Sequence, residues 1–151
     1  MATSCVCTRA PGAVTVLFVD DDADALFAYR LLGREEGMTV ELARDGHEAI
    51  ALADTFLPDV IVLDVALNSS DGLNGLEVAR RLRASSRTGT IPILFLSGYD
   101  SADDIAAMRA SGCEGHLVKP CSAESLLGLV TDLARSRRGQ TGSDDARASI
   151  A

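Results

Sequence analysis

The chain has 151 residues and a formal net charge of −8, with an isoelectric point near 4.6. Such an acidic chain is not expected to bind nucleic acid directly or to adhere to anionic membranes. No apolar run approaches the roughly 20 residues of a membrane-spanning helix, and the first residues lack the pattern of a signal peptide. We therefore expect a cytoplasmic protein without membrane insertion.

The length suits a single domain. Its core is expected to be aliphatic, because hydrophobic residues make up 47% of the chain and aromatic residues only 4%. The cysteines are Cys5, Cys7, Cys113 and Cys121. Their spacing fits neither a disulfide framework nor a zinc site, so we expect free thiols.

Apolar runs alternate with segments of helical periodicity from residue 14 onward. In chain order they predict strand Val14–Val19, helix Asp24–Glu36, strand Thr39–Ala43, helix Glu48–Phe56, strand Asp59–Asp64, a helix from Gly75 or Leu76 to Ser85, strand Ile91–Leu96, helix Ala102–Ala110, strand Glu114–Val118 and helix Ser122–Arg135. Residues 1–13 are expected to form a flexible leader. Residues 136–151 are expected to form a disordered tail, because they have no apolar periodicity.

This alternation predicts an α/β fold with a five-stranded parallel sheet, right-handed crossovers and helices on both faces. The flavodoxin-like strand order 2-1-3-4-5 places its switch point between strands 1 and 3. Strand Thr39–Ala43 is more polar than the others and is expected near an edge of the sheet.

Polar side chains follow the apolar strands where each strand ends. Asp20 and Asp21 come after strand 1, Asp64 ends strand 3, and Ser97 and Lys119 come at the ends of strands 4 and 5. In open α/β sheets these ends border the ligand-binding crevice. Clustered acids with a hydroxyl and an ammonium suit a cation and a phosphoryl group. Simpler roles are also open: Ser97 as a strand-end polar residue and Lys119 as a solvated lysine.

Four short motifs carry a family resemblance: Val-Asp-Asp-Asp at residues 19–22, Leu-Asp-Val at 63–65, Leu-Ser-Gly at 96–98 and Val-Lys-Pro at 118–120. Each is weak alone, but all four in this order within five βα units are specific. Over residues 14–135 the chain resembles the receiver domain of bacterial two-component response regulators, of the stand-alone, chemotaxis-regulator-like kind.

The resemblance implies that Asp64 accepts a phosphoryl group from a histidine kinase or a phosphotransfer protein. It also implies a Mg²⁺ cofactor, with Asp21 and Asp64 as direct ligands, Asp20 acting largely through water, and the backbone carbonyl of Ala66 completing the set. The ion would relieve the repulsion of the clustered carboxylates.

Further residues take roles by the same resemblance. Lys119 supplies a positive charge to the phosphoryl oxygens, and Ser97 supplies a hydroxyl. Ser97 and His116 occupy the switch positions, although the family usually has an aromatic residue where this chain has His116. A cis peptide is implied before Pro120. The positions that control hydrolysis are Ala66 and Tyr99, which predicts slow loss of the phosphoryl group.

The loop after Asp64 departs from the family pattern by its greater length, with the additional residues in Asn68–Leu73. Either Asp71-Gly72 or Asn74-Gly75 can match the turn before helix 3, and we prefer Asn74-Gly75. Asp22 and Asp24 are both suited to cap helix 1.

No output domain is expected after residue 135. Output would then be protein–protein contact through the face of helix 4, strand 5 and helix 5, and the chain would be a signalling protein and not an enzyme. A flavin protein of the same fold is disfavoured by acids where its phosphate loop would lie. A dehalogenase-type phosphatase is disfavoured because Ala66 stands where a second Asp is needed. A phosphorylation-independent receiver-like binding module stays open as the alternative.

Overall fold

A computed structural model of the protein describes residues 13–67, 73–98, 102–119 and 121–142. Strands and helices alternate along these residues: β1 Thr15–Val19, α1 Ala23–Glu35, β2 Thr39–Ala43, α2 Gly46–Phe56, β3 Val60–Asp64, α3 Gly75–Ala84, β4 Ile93–Ser97, α4 Ala102–Ala110, β5 Gly115–Val118 and α5 Ala123–Gly142. Most of the leader, loop residues 68–72, Tyr99, Pro120 and residues 143–151 lie outside the described part.

The five strands form one parallel sheet in the order β2-β1-β3-β4-β5. This confirms the predicted α/β, flavodoxin-like fold, with the more polar strand β2 at an edge. The three central strands, β1, β3 and β4, are buried along their whole length, which is why they read as unbroken apolar runs.

Two hydrophobic clusters cover opposite faces of the sheet. One joins strand residues such as Ile61 and Phe95 to α2, α3 and α4, and the other joins Phe18 and Val62 to α1 and α5. Alternation along each strand sends successive side chains to opposite faces. The helices therefore lie on both faces, and the carboxyl ends of the strands remain open between them.

Not every apolar residue of helix α1 faces the core. Leu26 is only 4% exposed to solvent, whereas Phe27 and Leu31 are 60% and 50% exposed. Tyr29 contributes to the core and stacks on Phe18 of β1, with ring centroids 4.9 Å apart. The inward face of α1 therefore includes Tyr29 and excludes the apolar residues Phe27 and Leu31.

The start of β4 and the end of α5 are among the element boundaries that differ from the prediction. Strand β4 begins at Ile93, two residues late, because Pro92 has no N–H to give the ladder and Ile91 N–H bonds to Thr88 O in a turn. Helix α5 continues to Gly142, whereas the sequence predicted an end at Arg135 and a disordered tail from Ser136. No apolar period marks residues 136–142, so the pattern gave no sign of this extension.

None of the helices in the described residues is both long and apolar enough to cross a membrane.

Candidate functional site

The central feature of the candidate site is a cluster of three carboxylates. Asp20 follows β1 directly and Asp64 ends the adjacent strand β3, where Val19 pairs with Leu63. Oxygen atoms of Asp20, Asp21 and Asp64 all lie within 4.8 Å of one another. Asp20 and Asp64 are buried, and Asp21 is more accessible to solvent. The parallel sheet thus brings together residues that are far apart in the sequence.

Backbone N–H groups fix the orientation of the two buried carboxylates. Asp22 N–H donates to Asp20 Oδ1 over 2.9 Å, and Ala66 N–H donates to Asp64 Oδ1 over 3.0 Å. In each case the donor is two residues beyond the acid, which is the local bond that Asp side chains make readily at the start of a loop. One oxygen of each carboxylate is therefore held by the loop, and the other faces the cluster.

Lys119 contacts both of these second oxygens. Its Nζ lies 3.3 Å from Asp64 Oδ2 and 3.4 Å from Asp20 Oδ2. Partial burial of the ammonium acts to lower the pKa of Lys119, but the carboxylates of Asp64 and Asp20 outweigh it and the pKa is raised. Lys119 therefore stays charged beside the acids.

Burial acts on the pKa of Asp20 in the opposite direction. It raises the pKa of Asp20, against the hydrogen bond from Asp22 and the charge of Lys119, and the neighbouring charge of Asp64 raises it further. The cluster thus holds more negative charge than Lys119 alone balances.

Ser97 and His116 are placed by the two outer strands. Ser97 is buried at the end of β4, one residue beyond the Leu96 that pairs with Asp64. Its carbonyl accepts a 2.7 Å hydrogen bond from the backbone N–H of Lys119, so it also fixes the start of the loop that holds the lysine. His116 is half-buried on β5 opposite Phe95. Leu117 packs on the α1 and α5 side, so alternation directs His116 toward the other face.

Gly75 allows α3 to begin directly against the chain that follows Asp64. A Cβ atom at this position would lie 2.3 Å from the backbone oxygen of Asp64. Asn74 caps the helix by accepting from Glu77 N–H. The preferred turn Asn74-Gly75 is therefore confirmed as the start of α3. At α1 the cap is Asp22, whose side chain accepts from Asp24 N–H.

Two further residues, Tyr29 and Arg83, were not indicated by the sequence pattern. Burial raises the pKa of the Tyr29 phenol, which is close enough to sense the charges of Lys119, Asp20 and Asp64. At the other end of the sheet, Arg83 donates to the carbonyls of Gly89, Ile91 and Gly112. An arginine on a helix is usually expected to face solvent. The sequence pattern therefore predicts neither the burial of Tyr29 near the charged cluster nor the carbonyl contacts of Arg83.

The carboxylate cluster suits a hard divalent cation. It offers only oxygen atoms, which Mg²⁺ prefers, and two oxygens on opposite sides of a Mg²⁺ lie about 4 Å apart at the usual bond lengths. Carboxylate oxygens that lie within 4.8 Å of one another can therefore bind one ion with little adjustment. The carbonyl of Ala66 as a further ligand stays a prediction.

The comparisons identify the family. Residues 16–131 match the model of the response regulator receiver domain, and the chain belongs to this family. The family assignment by resemblance is thus confirmed.

Among characterised relatives, the transcriptional regulatory protein TrcR of Mycobacterium tuberculosis is 40% identical over 128 residues, which are 84% of this chain and 48% of TrcR. The response regulator MprA of Mycolicibacterium vanbaalenii is 36% identical over 89% of this chain and 56% of its own length. The chain therefore spans about half the length of these relatives.

Solved structures agree with the fold. The chemotaxis protein CheY4 of Vibrio cholerae superposes with a TM-score of 0.75 at 32% identity, covering 81% of this chain and 99% of CheY4. The receiver domain of the Francisella response regulator 1452 gives a TM-score of 0.74 at 30% identity, covering 82% and 98% of the two chains.

Proposed function

We propose that this receiver accepts a phosphoryl group on Asp64 from a histidine kinase or a phosphotransfer protein. The observation that carries the proposal is the contact of Lys119 Nζ with Asp64, 3.3 Å away, inside a cluster of three carboxylates. A nucleophilic carboxylate, a fixed cation and a set of oxygen ligands together suit phosphoryl transfer, which depends mainly on positioning and on neutralising charge.

In the transfer step, an oxygen of Asp64 attacks phosphorus and a new phosphorus–oxygen bond forms. The bond between phosphorus and the donor's imidazole nitrogen breaks, and that nitrogen keeps the electron pair and later takes up a proton from solvent. The hydrogen bond from Ala66 N–H to Oδ1 holds the carboxylate in a fixed orientation throughout.

Asp20, Asp21 and Asp64 would hold the ion that we propose as Mg²⁺, with the carbonyl of Ala66. The excess negative charge of the carboxylates and of the incoming phosphoryl oxygens would be balanced by the bound ion. The raised pKa of Asp20 agrees with a group that is less stable as an anion when no cation is present.

Lys119 would bind a phosphoryl oxygen after transfer, and Ser97 would donate its hydroxyl to another. These contacts exist only in the phosphorylated state, so they bias the conformation of β5 and of His116. We propose that the output is protein–protein contact through α4, β5 and α5. Beyond self-phosphorylation and self-dephosphorylation we propose no enzymatic reaction, and we propose a cytoplasmic location.

The test is phosphorylation by a small donor. Incubation with Mg²⁺ and acetyl phosphate should add one acid-labile phosphoryl group, detected by mass, and Asp64→Asn should abolish it because an amide is not a nucleophile here. Asp22→Asn is the matched control, since it removes a nearby carboxylate but can still cap α1, and it should be labelled normally.

Labelling of the Asp64→Asn variant at another residue to the same extent would refute the acceptor assignment. A wild-type chain that folds, binds Mg²⁺ and accepts no phosphoryl group would favour the alternative of a phosphorylation-independent binding module.

A further inference from the structure

Arg83 lies in the last turn of α3, and only 19% of its side chain is exposed. Its guanidinium donates to the carbonyls of Gly89 over 2.9 Å and Ile91 over 2.7 Å, both in the connection from α3 to β4. It also donates from Nε to the carbonyl of Gly112 over 2.8 Å, in the connection from α4 to β5. One planar guanidinium with several donors thus joins two loops.

Glu114 adds an ion pair to these contacts. Its Oε1 contacts Arg83 Nη2 and also accepts from the backbone N–H of Ile93 over 2.8 Å. The backbone N–H of Glu114 donates in turn to Ile93 O over 2.9 Å. An isolated exposed ion pair would contribute little, but this carboxylate is held by β4 as well. The amino ends of β4 and β5 are therefore connected to Arg83.

The carboxyl end of α4 is shaped to meet Arg83. Gly112 follows the helix with a φ of +92°, a conformation that favours glycine. A Cβ atom at this position would lie 3.0 Å from Arg83 Nε. Ser111 is 3% exposed, and its hydroxyl donates to Met108 O over 2.6 Å. This end of α4 is therefore closely packed and fully bonded to its surroundings.

The amino half of α4 buries less of its surface. Within α4, all of which the structure describes, Met108 is the buried residue and lies near the carboxyl end. Ala102 and Ala106 are exposed, and Ile105 is half-buried. Because α4 follows β4, its amino end lies at the edge of the sheet that carries the candidate site, and its carboxyl end lies at the opposite edge.

We propose that Arg83 anchors the carboxyl end of α4, so that α4 moves as a lever whose free end lies at the candidate site. Displacing the amino end shifts lightly packed side chains. Displacing the carboxyl end breaks the bonds of Arg83 and leaves the carbonyl of Gly112 without its donor. Local opening of α4 therefore begins at its amino end. This inference is independent of phosphoryl acceptance on Asp64.

The test is amide hydrogen exchange of the unphosphorylated chain, resolved by residue. In the wild type, the amides of Ser111 and Gly112 should exchange more slowly than those of Ala106 and Ala107. Arg83→Gln should raise the exchange rates of Ser111 and Gly112 by about ten-fold, because charge-assisted hydrogen bonds are lost. The exchange rates of Ala106 and Ala107 should change much less.

Arg81→Gln is the matched control. Arg81 lies on the same helix, is 55% exposed and contacts Glu77 of α3, so its loss should leave the exchange of α4 unchanged. Arg83→Lys is a second variant that keeps the positive charge. A single ammonium does not replace the planar fork that reaches two loops, so Arg83→Lys should show most of the effect of Arg83→Gln.

Wild-type exchange rates at Ser111 and Gly112 in both Arg83 variants would overturn the proposal. A wild-type chain in which Ala106 and Ala107 are protected as well as Ser111 and Gly112 would do the same. An equal rise in the exchange of β1 and β3 would show that Arg83 supports the whole fold and not α4 in particular, and an equal rise in Arg81→Gln would assign the effect to net charge. If Arg83→Gln does not fold, Arg83→Lys decides between these outcomes.

Discussion

Asp20 shows how the site balances fold stability against function. Its pKa is raised above the ordinary value of 3.8, chiefly by burial. Between 3.8 and the folded pKa, the folded protein holds a proton that the unfolded chain has released. The stabilising contribution of this group is therefore present below pH 3.8 and is lost as pH rises through the folded pKa. At neutral pH without metal, the Asp20 anion makes folding less favourable.

We therefore predict that Asp20→Asn raises the free energy of unfolding at pH 7 in a chelator by about 1 kcal/mol. The amide oxygen can still accept from Asp22 N–H, so the loop is preserved. Adding Mg²⁺ should stabilise the wild type more than the variant, because the ion binds the folded acid cluster. Urea unfolding with and without Mg²⁺ measures both effects, and a variant less stable than the wild type in chelator would contradict them.

Ala66 governs a second prediction at the residue scale, which rests on the proposed phosphoryl acceptance. Its side chain is exposed beside Asp64 and has no polar group that can orient an attacking water. We predict that Ala66→Asn shortens the phosphoryl lifetime by about ten-fold, the effect of one added hydrogen bond of roughly 1.4 kcal/mol in the transition state. Loss of label over time measures it. Ala66→Leu is the apolar control and should not shorten the lifetime.

At the scale of elements, the start of α3 is fixed by its contact with the end of β3. Because a Cβ on Gly75 would lie 2.3 Å from the backbone oxygen of Asp64, Gly75→Ala must displace α3 or the loop after β3. We predict a loss of about 2 kcal/mol of stability together with slower phosphorylation. Gly115→Ala on β5 is the control, since a Cβ there would meet its nearest atom at 3.6 Å.

Thermal or urea unfolding and the rate of labelling by acetyl phosphate are the two measurements. A Gly75→Ala variant as stable and as reactive as Gly115→Ala would show that the close approach is relieved without consequence.

Most elements could be predicted from the sequence, because they depend on local interactions or on the pattern of apolar and polar residues. The buried strands β1 and β3 read as apolar runs, and Asn74 before Gly75 marked the cap of α3. The candidate site followed from strand ends alone, since parallel strands bring their carboxyl ends to one edge. Two features that the sequence did not predict depend on the tertiary structure: the inward role of Tyr29 and the carbonyl contacts of Arg83. The extension of α5 was not predicted because residues 136–142 have no apolar period.

On the scale of the whole molecule, Lys119 at the end of β5 connects Asp64 of β3 with Ser97 of β4. Its Nζ contacts Asp64 while its backbone N–H bonds to Ser97 O. We predict that Lys119→Ala still accepts a phosphoryl group, more slowly, but no longer transmits the change to β5 and α4. Amide hydrogen exchange of β5 and α4, compared before and after phosphorylation, measures this transmission.

Lys119→Arg is the control, because it keeps the charge that a phosphoryl oxygen would meet. If Lys119→Ala alters the exchange of β5 as the wild type does, the lysine stabilises the acid cluster without taking part in signalling.

The two lysine contacts of the site span 55 and 99 residues of sequence. No single hairpin or helical segment can assemble such a site, because its parts meet only when β1, β3 and the end of β5 share one sheet. A nascent or partly unfolded chain would present Asp64 without its cation partner and its ligand set. Under the proposed function, only a completely folded chain would therefore accept a phosphoryl group. A misfolded chain would not compete for the donor's phosphoryl group.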